Sequence, residues 1–265
     1  MSVFCGIAQV IAYEFTGNSI QGDLLKEAVD NIIEKMESIG LKVRFVTSDC
    51  GASNKAMWQK YGIATKKETA QNNWAVAHPV VEGRTLEFIP DPVHLFESIV
   101  NGWISNQFFK VPSWYMELRS LSSEVVSRDH LQVLVAEEID QSTKMVYRLK
   151  PEEVDFQNLK ISNVDKMKVC NSTKYCSYTV AAAMNIIADQ SGNTELKTTA
   201  TFLEDVSKWY DLMTSRSTES CLSPSNEKYT ENKNHLNMMI RLVTSLKICI
   251  YNIHICIYIY IYIYI

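Results

Sequence analysis

Two acidic residues end apolar runs in this chain, Asp49 in "VRFVTSDCGASNK" and Asp91 in "LEFIPDPVHL". A carboxylate at the carboxyl end of a buried strand sits where open α/β sheets place ligands and catalytic groups. Two such carboxylates from different strand ends can share Mg²⁺, the arrangement used for phosphoryl transfer. The same residues have plainer uses. Asp is a favoured helix N-cap, Asp-Pro is an ordinary turn, and His94 suits a helix start as well as a metal. Local pattern leaves both readings of Asp49 and Asp91 open.

Elements that would position these groups are legible in the periodicity. Residues from Val3 to Phe15 are rich in Val, Ile, Phe and Tyr and suit a buried strand or hairpin edge. From Leu24 to Ile39, the apolar residues Leu25, Ala28, Val29, Ile32, Ile33, Met36 and Ile39 recur at three and four positions. Asp23 lies near the start and Gly40 just past the end, which predicts a helix. "LKVRFVTS" then reads as a strand, with Gly51 permitting a tight turn and Ser53 or Asn54 able to cap the helix that follows. "TLEFIP" reads as a further strand, and "DPVHLFESIVNGWI" as a turn entering an amphipathic helix. Alternation of strand and helix predicts an α/β sheet with helices on its faces.

Past Trp114 the texture changes. No strong strand is visible, and helical periodicity recurs over residues 127–138, 173–188 and 198–212, with "CSYTVAAAMNIIAD" the clearest helix. A second, mainly helical domain is expected to begin near residue 112. Residues 217–234 read as a polar loop. The end, from Leu246, alternates Ile and Tyr with no polar face. It is long enough for a membrane span, but Ile-Tyr repeats are also what a translated TA-dinucleotide repeat gives, and low-complexity composition favours that account. No membrane partner is expected.

Bulk composition narrows the field further. A chain of 265 residues, 46% hydrophobic and 21% charged, can bury a sizeable core. Its 26 basic and 30 acidic residues give a net charge of −4, without the basic excess of a protein that wraps nucleic acid unaided. The seven cysteines are dispersed and lack zinc spacing, so they read as reduced thiols of a cytosolic or nuclear protein. There is no Gly-x-x-x-x-Gly-Lys phosphate loop, which argues against a P-loop hydrolase.

Several segments in order carry a resemblance. "VRFVTSDCGASNKAMWQKYGI" contains Asp49, Asn54 and Trp58 in an Asp-x-x-x-x-Asn-x-x-x-(Trp/Leu) pattern. "HPV" follows, then "LEFIPDPVHLFESIVNGW" with Asp91, His94 and Leu95, then "KMKVCNSTKYCSYTVAAAM" and "FLEDVSKWYDLMTSRS". Together they resemble the RNase H-like core and GTP-binding insertion of P-element-type DNA transposases, the family that includes THAP-domain transposase proteins. The likeness runs from about residue 3 to 217.

The resemblance implies a partial RNase H-like fold over 1–111, part of a helical GTP-binding insertion domain over 112–217, and a non-homologous low-complexity tail over 218–265. It implies Mg²⁺-dependent cut-and-paste chemistry at transposon DNA ends in the nucleus, assisted by GTP. Asp49 corresponds to the second of three metal-binding acids, and Asp91 to a motif near the site. Asp211 would read the guanine edge, since a carboxylate accepts two N–H bonds. Tyr210, Thr214, Val169 and Ser177 would adjoin the nucleotide. Two departures stand out: Thr214 replaces the family's Asn, and Glu97 replaces a Lys where positive charge would favour DNA. For Asp211 the plainer reading is a solvated helix residue beside a buried Trp209.

By family spacing, the first acid is expected further upstream than the 48 residues that precede Asp49, the domain to start before Met1, and the final Glu to follow the insertion. The chain alone is therefore expected to be inactive. The alternative is a non-catalytic product that binds DNA, other proteins, or a full-length transposase as an oligomer.

Overall fold

A computed structural model describes residues 10–13, 20–63, 75–138, 142–158, 168–215, 222–224 and 226–246. The strand expected over Val3 to Phe15 falls outside these except for residues 10–13, which carry no regular element, and the Ile-Tyr tail beyond Leu246 falls outside them entirely. The chain divides into two compact units, one ending at Asp91 and the next beginning at Pro92.

In the first unit, the three-to-four spacing of Leu25, Val29, Ile32, Ile33 and Met36 gives helix α1 (Gly22–Ser38). Strand β1 (Phe45–Ser48) leads to helix α2 (Ala52–Lys60), on which α1 packs. The two helices are tied by Lys60 to Asp23 at 2.8 Å and by the Tyr61 hydroxyl, which donates to Asp30 at 2.5 Å. Strands β2 (Ala75–Ala77) and β3 (Thr85–Pro90) complete a sheet in the order β1-β3-β2, with β1 parallel and β2 antiparallel to β3. Leu86, Phe88 and Ile89 of β3 are buried, as are Met57, Trp58 and Ile63 from the α2 segment and Ile33 from α1. β2 escaped the sequence reading because three residues show no usable alternation.

The "HPV" turn between β2 and β3 is built on buried His78. Its Nδ1 accepts the backbone N–H groups of Val80 and Val81 at 3.2 and 3.1 Å. Arg84 then pairs with Glu37 of α1, whose carboxyl that guanidinium holds below the usual carboxylate range.

The second unit opens with helix α3 (Pro92–Ser105), whose Leu95, Phe96, Ile99, Val100, Trp103 and Ile104 are buried. Strand β4 (Phe108–Lys110), helix α4 (Ser113–Arg119) and strand β5 (Val125–Ser127) follow, and β4 and β5 pair antiparallel. Strand β5 corrects the expectation of no strong strand past residue 114. Short helices α5 (His130–Glu137), α6 (Pro151–Val154) and α7 (Val169–Tyr175) lead to α8 (Tyr178–Ser191) and α9 (Thr194–Thr214).

α8 and α9 form a tight helical hairpin. Gly192, at φ +67, ends α8 in the left-handed conformation that suits glycine. Asn193 then caps α9 by accepting from Glu195 N at 3.1 Å and Leu196 N at 3.0 Å. Buried Ala181, Ala183 and Ala188 on α8 allow close approach to Leu196, Ala200, Leu203 and Val206 on α9.

Helix α10 (Tyr229–Ser245) corrects the reading of residues 217–234 as loop, since its first six residues lie within that span. Leu236, Met239, Ile240, Leu242 and Val243 bury its apolar face, and α10 packs on α9. The polar run "TENKN" hid the helix start.

Beneath α10, Asp205 of α9 is 4% exposed, and its carboxylate accepts from the Tyr115 hydroxyl at 2.6 Å and from two nitrogens of Arg119. His235 of α10 hydrogen-bonds the Asp205 carbonyl at 3.0 Å. A buried charge is tolerated when paired and hydrogen-bonded on all sides.

Candidate functional site

The parallel pairing of β1 with β3 runs in register from Phe45 opposite Glu87 to Ser48 opposite Pro90. Asp49 and Asp91 therefore follow the carboxyl ends of adjacent parallel strands, and the Asp91 backbone N–H donates to the Ser48 carbonyl at 2.9 Å. The fold brings these two acids to one end of the sheet, the position expected for ligand-binding groups.

Asp49 is exposed, and its Oδ1 accepts the Gly51 N–H at 2.6 Å and the Asn54 side-chain amide at 2.8 Å. The N-cap of α2 is Gly51, with no side-chain cap bond. Neither Asp49, Ser53 nor Asn54 caps the helix in the expected way. Asp49 instead closes a local turn, and Asn54, one of the motif residues, orients its carboxylate. A Cβ at Gly51 would stand 2.7 Å from Asp49 Oδ1, so glycine is what allows the carboxylate to fold back over the turn.

An oxygen-only donor set at this sheet end suits a hard cation such as Mg²⁺. Among the described residues, however, no group of three His, Cys, Asp or Glu side chains is placed to hold a metal. Cys50, Cys170 and Cys176 are free thiols.

His94 lies in the first turn of α3 and contacts Glu97 through Nδ1 at 3.1 Å. Glu97 is buried. The carboxylate that replaces the family's Lys is thus paired with His94 of its own helix.

In the second unit, the antiparallel hairpin carries the start of α8 to the end of α9. Ser177 caps α8 by accepting from Val180 N at 3.4 Å, and the neighbouring Cys176 thiol contacts the Leu203 carbonyl at 3.7 Å and Ser207 at 3.8 Å. Burial raises that thiol to about 12, so it is an inert anchor. Ser177 is thereby pinned near the last turns of α9, which carry Tyr210, Asp211 and Thr214. Val169 opens α7, which packs on α3. Four of the residues singled out from the sequence, Ser177, Tyr210, Asp211 and Thr214, thus lie toward one end of the hairpin.

Asp211 is exposed, though partial burial raises its carboxyl above the ordinary range. Tyr210 stacks on Phe96 of α3 with ring centroids 4.3 Å apart. The Thr214 hydroxyl donates to the Tyr210 carbonyl at 2.8 Å. Its proton is therefore committed to its own helix, a concrete consequence of Thr in place of Asn. Tyr178 was missed by the sequence reading. It is 43% exposed, and burial together with the charges of Asp211, Glu204 and Asp205 raises its phenol to about 12.

Beside Ser177 lies a cavity of about 160 Å³ lined by residues 145–149 and by Thr173, Lys174, Ser177, Thr179 and Val180. Arg148 and Lys174 were also missed, since isolated basic residues between helices carry no periodic signal.

Residues 4–62 match the family described as TNP-like, RNase H N-terminal domain. No curated protein matches the chain. Among solved structures, the Drosophila P element transposase, in a strand transfer complex, matches with a TM-score of 0.70 at 17% identity. The match covers 89% of this chain and 51% of that one, so the chain spans about half the length of the transposase it resembles. At that identity the likeness is one of fold. The chain carries a transposase-related RNase H-like domain of the TNP-like kind at residues 4–62, in a mixed α/β fold matching part of the P element transposase.

Proposed function

We propose that this chain is part of a nuclear DNA transposase of the P element kind, with Asp49 contributing to a Mg²⁺ site and the α8–α9 hairpin holding GTP. The observation that carries the reading is the placement of Asp49 and Asp91 at neighbouring strand ends within a fold matched over 89% of the chain. The aligned protein is a transposase in a DNA strand transfer complex.

Mg²⁺, when bound, stabilises charge on phosphoryl oxygens and activates an attacking hydroxyl. The residues of this chain do the positioning: the Gly51 N–H and the Asn54 amide hold Asp49 Oδ1 in one orientation before any metal arrives. Asp91 supplies a second carboxylate at the same end of the sheet. Asp211 accepts from the guanine edge, Tyr210 offers an aromatic face, and Ser177 places a hydroxyl nearby.

Among the described residues no third acid joins Asp49 and Asp91, and two carboxylates do not hold two metals against water, so the proposed chemistry draws on further acidic residues, such as those of a full-length transposase in an oligomer. A strand-cleavage assay on transposon-end DNA tests this. The 265-residue chain is expected to show no Mg²⁺-dependent cutting, and cutting abolished by Asp49→Ala would overturn the requirement for further acids while keeping the metal role of Asp49.

A further inference from the structure

Asn54 holds the Asp49 carboxylate through its side-chain amide, so whatever fixes Asn54 also fixes the carboxylate. Asn54 lies in the first turn of α2. That helix is anchored in the core by Met57 and Trp58, each 1% exposed, and its far end is tied to α1 by Lys60 and Tyr61. The tightest restraint is at Gly22, the buried first residue of α1. A Cβ there would stand 2.7 Å from the carbonyl carbon and from the Cβ of Ala56, and 2.9 Å from the Met57 nitrogen. Two of those three atoms are backbone, so a larger residue at position 22 displaces α2 itself and not merely a side chain.

This gives the spacing of the Asp49, Asn54 and Trp58 motif a physical reason. Gly51 turns the chain into α2, the first helical turn brings the Asn54 amide back to Asp49 Oδ1 at 2.8 Å, and Trp58, one turn further on, locks the helix into the core. Oδ1 also accepts the Gly51 N–H at 2.6 Å. Two bonds occupy the lone pairs of that oxygen, so a cation meets Asp49 through one oxygen only. The direction in which the carboxylate presents itself is then set by where α2 lies.

We propose that Gly22, on a different helix from the acid it serves, is a positioning residue for cation binding at Asp49: the close approach of α1 to α2 at Gly22 places the Asn54 amide, and the amide fixes the carboxylate. This rests on the metal reading of Asp49 given above. Removing a hydrogen-bond partner that orients a metal-binding group lowers metal affinity about 10-fold to 100-fold.

Mn²⁺ is the probe, because it takes the same oxygen ligands as Mg²⁺ and broadens the NMR signals of nearby amides. Broadening at the Gly51 amide is followed by titration in wild type, Asn54→Ala, Gly22→Ala and the double variant, with the unfolding temperature of each measured alongside. Asn54→Ala is expected to weaken Mn²⁺ binding about tenfold and to unfold near the wild-type temperature. Gly22→Ala is expected to weaken binding in the wild-type background and to add nothing in the Asn54→Ala background, the non-additivity of residues that act along one route. Independent, additive losses would overturn the route from Gly22 through Asn54. Mn²⁺ affinity indifferent to Asn54→Ala would overturn the proposal while leaving the metal reading intact, and this arm stands even where Gly22→Ala does not fold. A wild-type chain in which Mn²⁺ leaves the Gly51 amide unbroadened would remove the metal reading and this inference together.

Discussion

The two units handle carboxylates in opposite ways. In the first, Asp49 and Asp91 stand at strand ends, Asp49 exposed and Asp91 partly so, with Asp49 oriented by a backbone N–H and one amide. In the second, Asp205 is buried and surrounded by Tyr115, Arg119 and His235. A strand-end acid is oriented without being fully desolvated, so it stays available to a ligand. A buried acid is fully committed to its neighbours, and its removal leaves other polar groups unpaired. Similar side chains thus stay open to a ligand in one unit and serve architecture in the other.

The sharpest way to break this contrast is to delete one acid of each kind. Asp205→Ala should cost about 3–5 kcal/mol, because Arg119 and Tyr115 are left without their partner. Asp49→Asn should stay within about 0.5 kcal/mol of wild type, as surface substitutions do. Denaturant unfolding of each variant measures both, and equal losses would remove the distinction.

Acid should expose the same difference. Burial lowers the His235 pKa from 6.5 to about 4, so the folded chain favours the neutral imidazole. The stability that this contributes is present above pH 6.5 and is lost as pH falls from 6.5 to 4, up to about 3 kcal/mol. Burial also raises the Asp205 carboxyl, which works in the opposite sense at the acid end. Comparing wild type with His235→Asn isolates the histidine: the difference in unfolding temperature should shrink as pH falls through this window, and a constant difference would contradict the assignment.

A smaller effect is expected at the turn that holds Asp49. Gly51→Ala places a Cβ 2.7 Å from Asp49 Oδ1 and should displace the carboxylate from the Gly51 and Asn54 donors. The expected cost is about 1 kcal/mol, the worth of an ordinary hydrogen bond. A crystal structure of the variant with Asp49 still bonded to Asn54 would show that the turn does not depend on glycine.

The same contrast explains what the sequence could reveal. α1, α2, β3 and α3 were legible because burial imposes a pattern on their apolar residues, and β1 because its β-prone run stops at the turn residues Asp49 and Gly51. The strand-end position of Asp49 followed from that pattern. β4 and β5, three residues each, are too short to show alternation. α10 begins in a polar run, and its packing on α9 is a tertiary fact with no local mark. The Asp205 network was invisible for a related reason: Tyr115, Arg119, Asp205 and His235 come from three helices far apart in the chain. The cap reading of Asp49 stayed open in the sequence because Asp serves caps and turns alike, and only the observed bond to Gly51 separates them.

The proposed contact of Asp211 with a guanine edge is open to the most direct test. A carboxylate accepts from guanine N1–H and N2–H, whereas an amide can donate to the carbonyl oxygen that xanthine carries at the same position. Titration of wild type and Asp211→Asn with GTP and xanthosine triphosphate measures this. The account predicts that wild type binds GTP and that Asp211→Asn loses GTP and gains xanthosine triphosphate, each by at least tenfold. GTP binding that is indifferent to Asp211→Asn would contradict it.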